Sequence, residues 1–183
     1  GDEGIANFCY NTYDASHPML RGYYYRLYTG ISFCNQYLQE FGDKDATMTA
    51  EVRFIRAFDY FLLMDGWGNV PFVTGITSDK PEQYSRSEMF NFVESELLEI
   101  EPQLSAAIAK KSSDPNYGRV DKAAAFMLLA RLSLNSEVYT GTARYDKAAQ
   151  YAEQVMNSSY KLNMTGTDSW SAYQMLFMAD NGE

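Results

Sequence analysis

Apolar residues recur along residues 20–41 at alternating spacings of four and three: Leu20, Tyr24, Leu27, Ile31, Cys34, Leu38 and Phe41. That spacing lines one face of a 3.6-residue helix and predicts a single long amphipathic helix. Gly42 follows, where a left-handed residue commonly closes a helix, and residues 43–47 read as a short turn. A second helix is predicted over 50–64, with Ala50, Phe54, Ala57, Phe58, Phe61 and Leu62 inward and Gly66-Trp67-Gly68 at its end. So short a connection admits only an antiparallel hairpin, which defines a first helix pair over 20–64.

Residues 72–84 read as an irregular loop. Ser85-Arg-Ser-Glu88 is a capping box that opens a third helix, expected over 85–109 with Met89, Val93, Leu97, Ile100 and Leu104 inside and a kink at Pro102. A polar break over 110–118 precedes a last pair over 121–157, whose inner faces carry Ala124, Leu128 and Leu132 opposite Ala148, Ala152 and Val155. Small residues at such positions let two helices approach closely, the packing logic of tetratricopeptide repeats. The predicted fold is all-α: antiparallel, tetratricopeptide-like helix pairs joined by long irregular loops, forming one helical unit over 1–183. No closing helix follows residue 162, so the chain is expected to be a piece of a longer protein.

Composition narrows the function. The 183 residues carry a net charge of −9, and no Lys/Arg run exceeds the pair Lys110-Lys111, which disfavours nucleic acid and anionic lipid. No run of about 18 apolar residues is present to span a bilayer, and Gly1-Asp-Glu-Gly4 does not resemble a signal peptide. Cys9 and Cys34 form no C-x-x-C and leave the redox compartment open. Tyrosine is abundant, 15 against 2 Trp, and suits helix interfaces and sugar-stacking surfaces equally.

Catalytic signatures are missing from the sequence. With His17 as the single histidine, Ser/His/Asp, Cys/His and polyhistidine metal sites are excluded, and His17 beside Pro18 reads as a turn residue. Nucleotide-binding, hydrolase-elbow and zinc-protease motifs do not occur, so no cofactor or metal is expected. Asp43-Lys-Asp45 begins like a calcium loop but lacks its glycine and its closing glutamate. Glu88, Glu94, Glu96, Glu99 and Glu101 read as a solvated helix face. Arg56 reads as a structural ion-pair partner of Asp59 or of an acid on a neighbouring helix. Trp67 is able to stack on a sugar ring or to pack against the helix pair. Asn7, Tyr10 and Tyr13 combine amide and phenol chemistry ahead of the first helix, which fits either a carbohydrate site or an ordered loop.

Two longer segments carry a family resemblance. Ala50-Glu-Val-Arg-Phe-Ile-Arg-Ala-Phe-Asp-Tyr-Phe61 with Gly66-Trp-Gly-Asn-Val-Pro-Phe-Val-Thr74, and Gly118-Arg-Val-Asp-Lys-Ala-Ala-Ala-Phe-Met-Leu-Leu-Ala-Arg131, resemble the SusD/RagB glycan-binding outer-membrane lipoproteins. Val138-Tyr-Thr-Gly141, Tyr145-Asp-Lys-Ala-Ala149 and Leu176-Phe-Met-Ala-Asp180 continue the similarity. The resemblance implies a tetratricopeptide-like scaffold, lipid-anchored on the surface of a Gram-negative outer membrane. It also implies a lid on a TonB-dependent (SusC-like) transporter that binds oligosaccharides and does not cleave them. Family members are longer, so this chain corresponds to their N-terminal scaffold. The expected function is non-catalytic glycan capture and delivery to the transporter, with Asp2, Asn7, Tyr10 and Tyr13 at the rim of the glycan site. A tetratricopeptide-type peptide adaptor and an all-helical glycosidase are the alternatives.

Overall fold

The computed structural model describes residues 4–178. Helices α1 (Ile5–Cys9), α2 (Pro18–Phe41) and α3 (Ala46–Trp67) are followed by a two-stranded ribbon of β1 (Val70–Phe72) and β2 (Glu82–Tyr84). Then come α4 (Arg86–Ile100), α5 (Lys122–Leu134), α6 (Ser136–Thr140), α7 (Tyr145–Met156) and α8 (Ala172–Met175). The protein is all-α in class, 59 % helix with that one small ribbon.

Helices α2 to α5 each start where a side chain takes over orphan backbone amides. His17 caps α2 ahead of Pro18, accepting from the Met19 amide through Nδ1 while Nε2 lies 2.9 Å from the Gly4 carbonyl oxygen. Asp45 accepts from the Met48 amide at 2.9 Å to open α3. Ser85 and Glu88 form the expected capping box of α4. Asp121, itself buried, accepts from the Ala123 and Ala124 amides to open α5.

The helices pack in series, α2 on α3, α3 on α4, α4 on α5 and α6, and α5 on α7. Antiparallel order follows from the pairs that meet: Tyr24 with Trp67 and Asn35 with Arg56, then Arg53 with Glu96 and Thr47 with Gln103, then Phe126 with Tyr151 and Asp121 with Tyr160. These are tetratricopeptide-like pairs. One continuous core runs through them, from Leu27 and Ile31 through Phe61, Met64, Phe90 and Leu97 to Leu129 and Leu132. Helix α5 is covered on both sides, so Ala123, Ala125 and Ala130 are all buried and Ala124, expected at the close contact, is only half-buried.

Several local expectations are corrected. Gly42 is right-handed, at φ −63°, and serves space instead of handedness, because an added Cβ would press on the Leu38 carbonyl oxygen. The left-handed closure occurs one hairpin later, at Gly68, with φ 78°. The loop expected over 72–84 contains the ribbon, with Val70 opposite Tyr84 and Phe72 opposite Glu82. The third helix, expected to reach 109, ends at Ile100 and passes into a 3₁₀ turn over Glu101–Gln103. Pro102 lacks an N–H and its ring would meet the carbonyl of residue 98, so it terminates the helix instead of kinking it. Of the glutamates expected on a solvated face, Glu88 and Glu99 are exposed, but Glu96 is buried between Arg53 and Arg56, Glu94 pairs with Arg144, and Glu101, just past α4, pairs with Lys122.

Candidate functional site

The run Gly22-Tyr23-Tyr24-Tyr25 falls on the first turns of α2. Tyr24 faces inward, and its two neighbours, about 100° to either side on the helical wheel, are left outside at 45 % and 62 % exposure. Because α3 runs antiparallel to α2, its last residue, Trp67, arrives beside this turn. The Trp67 ring centroid lies 5.7 Å from that of Tyr23 and 5.4 Å from that of Tyr24. Tyr24 leans in turn on Tyr28 at 4.8 Å. The result is an aromatic wall on an open groove of about 660 Å³, which Tyr13, Asp14, Ala15 and Arg21 also line.

The wall rests on a rigid base. The Tyr28 hydroxyl donates to the Pro71 carbonyl at 2.7 Å, and burial pushes its pKa far up, so it stays a neutral donor. Tyr60 donates to the Val73 carbonyl at 2.7 Å and accepts from the Val73 amide at 2.9 Å, with burial raising its pKa to about 12. Asn35 donates to the Val73 carbonyl at 3.1 Å, and Arg56 reaches the Thr74 carbonyl at 3.3 Å. Arg56 also binds Glu96 of α4, which decides between the two partners its position allowed. Four side chains of α2 and α3 thus pin the backbone of 71–74 against the helix pair, and the chain leaving Trp67 has one path.

On the rim, Asp14 accepts from the Ser16 hydroxyl at 2.6 Å and the Ser16 amide at 2.8 Å, which holds its carboxyl below the usual carboxylate range. It remains an acceptor for hydroxyl donors. The Tyr13 ring is fixed by Phe8 at 5.0 Å and lies edge-on to His17 at 6.4 Å. Flat rings with an ionised acceptor and a guanidinium at the edge match the apolar faces and hydroxyl rims of pyranose sugars.

Of the residues picked out in the sequence, Tyr13 lines this groove, and Asn7 shares with it a smaller neighbouring cleft of about 180 Å³. The Asn7 amide donates to the Thr12 hydroxyl at 3.3 Å. Tyr10 caps the end of α1, is 78 % exposed and lies in neither cleft. Asp2 lies outside the described residues. Tyr23, Tyr25 and Arg21 were missed, although two aromatics flanking an inward Tyr24 on an amphipathic helix are a signal legible in the sequence. Among the described residues no three His, Cys, Asp or Glu side chains gather to hold a metal ion, and no helix is long and apolar enough to cross a membrane.

Serial helix pairs bearing an aromatic groove between a helix start and a helix end define a scaffold of tetratricopeptide-like, all-helical build. Residues 4–134 match the SusD-like family described as starch-binding and associating with the outer membrane, and the chain belongs to that family. The starch-binding protein SusD of Bacteroides thetaiotaomicron is 40 % identical over 134 residues, which are 73 % of this chain and 22 % of that protein. A laminarin-binding SusD-like protein superposes with a TM-score of 0.72 at 25 % identity, covering 90 % of this chain and 35 % of that one. A SusD-like protein of Bacteroides fragilis gives a TM-score of 0.76 at 24 % identity over 97 % of this chain and 35 % of that one, which speaks to the fold alone. The chain therefore spans a minor part of the length of the proteins it matches.

Proposed function

We propose that this chain is the N-terminal scaffold of a cell-surface glycan-binding protein, lipid-anchored at the outer membrane, that captures oligosaccharides and passes them to a TonB-dependent transporter without cleaving them. The observation that carries the reading is the aromatic wall of Tyr23, Tyr24 and Trp67 on an open groove that Tyr13 also lines, in a chain 40 % identical over 134 residues to a starch-binding protein. Starch-type α-glucans or another neutral glycan are the ligand class the wall fits. Asn7, which lines the neighbouring cleft beside His17 and Pro18, belongs to the proposed rim, and Tyr10 and Asp2 are proposed with it.

Binding without hydrolysis agrees with the chemistry of the groove. Glycoside cleavage calls for two carboxyl groups, one of them kept protonated as an acid. Asp14 is the one carboxylate among the described residues lining the groove, and Ser16 holds it ionised. Such a group orders hydroxyls and has no proton to give.

Calorimetry on the full-length protein with maltohexaose tests this. Removal of a stacked ring is worth about 1 kcal/mol, so Tyr23→Ala is expected to weaken binding about fivefold, and Tyr13→Ala similarly, with melting temperatures held. Affinities unchanged in both variants, for maltohexaose and for any neutral glycan retained on an array, would refute the groove as the site. Retention of a large β-barrel protein in a mild-detergent pull-down checks the transporter partnership.

A further inference from the structure

On a chain of net charge −9, one groove is basic. It lies between the segment joining α4 to α5 and the residues that follow α7, shares no lining residue with the aromatic groove, and encloses about 590 Å³. Lys110 and Lys111, the one cationic pair in the sequence, meet Arg119 and Lys161 there. Segments distant in sequence supply these charges, so the cluster is a product of the fold.

The groove has a built frame. A parallel bridge joins Ser105 to Asp121, and the Ala109 amide donates to the Ser159 hydroxyl at 2.6 Å. The Tyr160 hydroxyl donates at 2.8 Å to Asp121, the buried cap of α5, which leaves the ring of Tyr160 as the part available to the groove. Tyr117, 48 % exposed, supplies a second ring.

The surrounding charges leave the groove cationic. Arg119 is neutralised by Glu51 at 2.7 Å. Asp114 accepts from the Asn116 amide on the same segment, and Asp121 from the α5 amides and Tyr160, neutral donors that do not offset a carboxylate's charge, so the lysines Lys110, Lys111 and Lys161 outnumber these two acids by one. Lys161 gives its ammonium to the carbonyls of Met156 and Ser158, acceptors that leave its charge intact. Lys110 and Lys111 have no ion-pair partner among the described residues. Three ammonium groups, none of them in an ion pair, beside two aromatic rings and the Asn116 amide attract a carboxylate or sulfate through charge-assisted hydrogen bonds, and accept the sugar ring that carries it by stacking.

We propose that this groove is a second saccharide site, selective for a sugar residue bearing a carboxylate or a sulfate. The saccharide nature of the ligand rests on the glycan-binding reading above, and the anionic selectivity on the groove itself. The test is calorimetry on the full-length protein with hexagalacturonate, a chondroitin sulfate hexasaccharide and maltohexaose, at about 0.01 M and about 1 M salt, across which the screening length falls from about 30 Å to about 3 Å. At least one anionic hexasaccharide is expected to bind at low salt and to lose about tenfold or more at high salt. The triple variant Lys110→Gln/Lys111→Gln/Lys161→Gln is expected to lose about tenfold for that ligand, about 1.4 kcal/mol. Tyr23→Ala leaves it unchanged, and the triple variant leaves maltohexaose unchanged. Binding of the carboxylated but not the sulfated ligand, or the reverse, identifies the group recognised. Failure of both anionic ligands, salt-independent binding, or full affinity in the folded triple variant overturns the proposal, while loss of maltohexaose binding alone would count only against the aromatic groove.

Discussion

Replacing Glu96 by alanine should be among the most damaging single changes in the protein. Its carboxylate meets Arg53 at 2.6 Å and Arg56 at 3.0 Å, and the side chains of Arg56 and Glu96 are 8 % and 11 % exposed. After Glu96→Ala, Arg53 keeps Glu99 at 2.8 Å. Arg56 keeps the neutral oxygens of Asn35 and Thr74 and the face of the Phe92 ring at 5.9 Å, none of them a counter-charge, with its Nε already buried and unpaired. A buried cation stripped of its counter-charge typically costs about 3–5 kcal/mol, where an exposed pair would cost about 0–1 kcal/mol. For a chain of this size about 3 kcal/mol corresponds to a fall in melting temperature of about 6–12 °C. Urea and thermal unfolding followed by circular dichroism measure it. The double variant Arg56→Met/Glu96→Leu removes the stranded charge as well, and should recover at least half of the loss, since apolar replacement of a buried pair is often neutral. A single-variant cost below about 1 kcal/mol, or a double variant worse than the two singles summed, would refute the reasoning.

Two further outcomes follow from buried polar groups. Burial raises the Asp59 carboxyl to about 6, against the pull of Arg26. A folded-state value above the unfolded one means that stability is greatest below about pH 4 and declines as pH rises through about 6. Asp59→Asn should therefore remove that decline and exceed the parent by about 1 kcal/mol near neutral pH, a figure reduced for the partial solvation of the carboxyl; pH-dependent urea titrations showing equal slopes in both proteins would contradict this. Tyr60→Phe deletes both bonds to Val73 and should cost about 1–3 kcal/mol by the same assay.

The helix pairs were legible in the sequence because amphipathic period and caps agree: the stripe through Leu27, Ile31 and Cys34 and the box at Ser85 and Glu88 are local signals, and burial and hydrogen bonding follow them. What misled was chemistry that depends on distant partners. Glu94 and Glu96 look solvated until α3 and the segment before α7 bring Arg53, Arg56 and Arg144 to them. Ala124 is less buried than Ala123 and Ala125 because a helix covered on two sides has no single inner face. The site divided in the same way: Tyr13 was visible in a local cluster, whereas the approach of Trp67 to Tyr23 is set by an antiparallel hairpin whose register only the folded pair reveals.

The pinning of residues 71–74 has an evolutionary side. The bonds donated by Tyr28, Asn35, Tyr60 and Arg56 all end on carbonyl oxygens of Pro71, Val73 and Thr74, which every amino acid carries. The anchors are constrained while the anchored stretch is not: Val73 and Thr74 are free to drift in identity, and the loop beyond them to lengthen or shorten, without the helix pair losing its grip on where that loop begins. A scaffold tied through its backbone can exchange the loops it displays and remain the same scaffold.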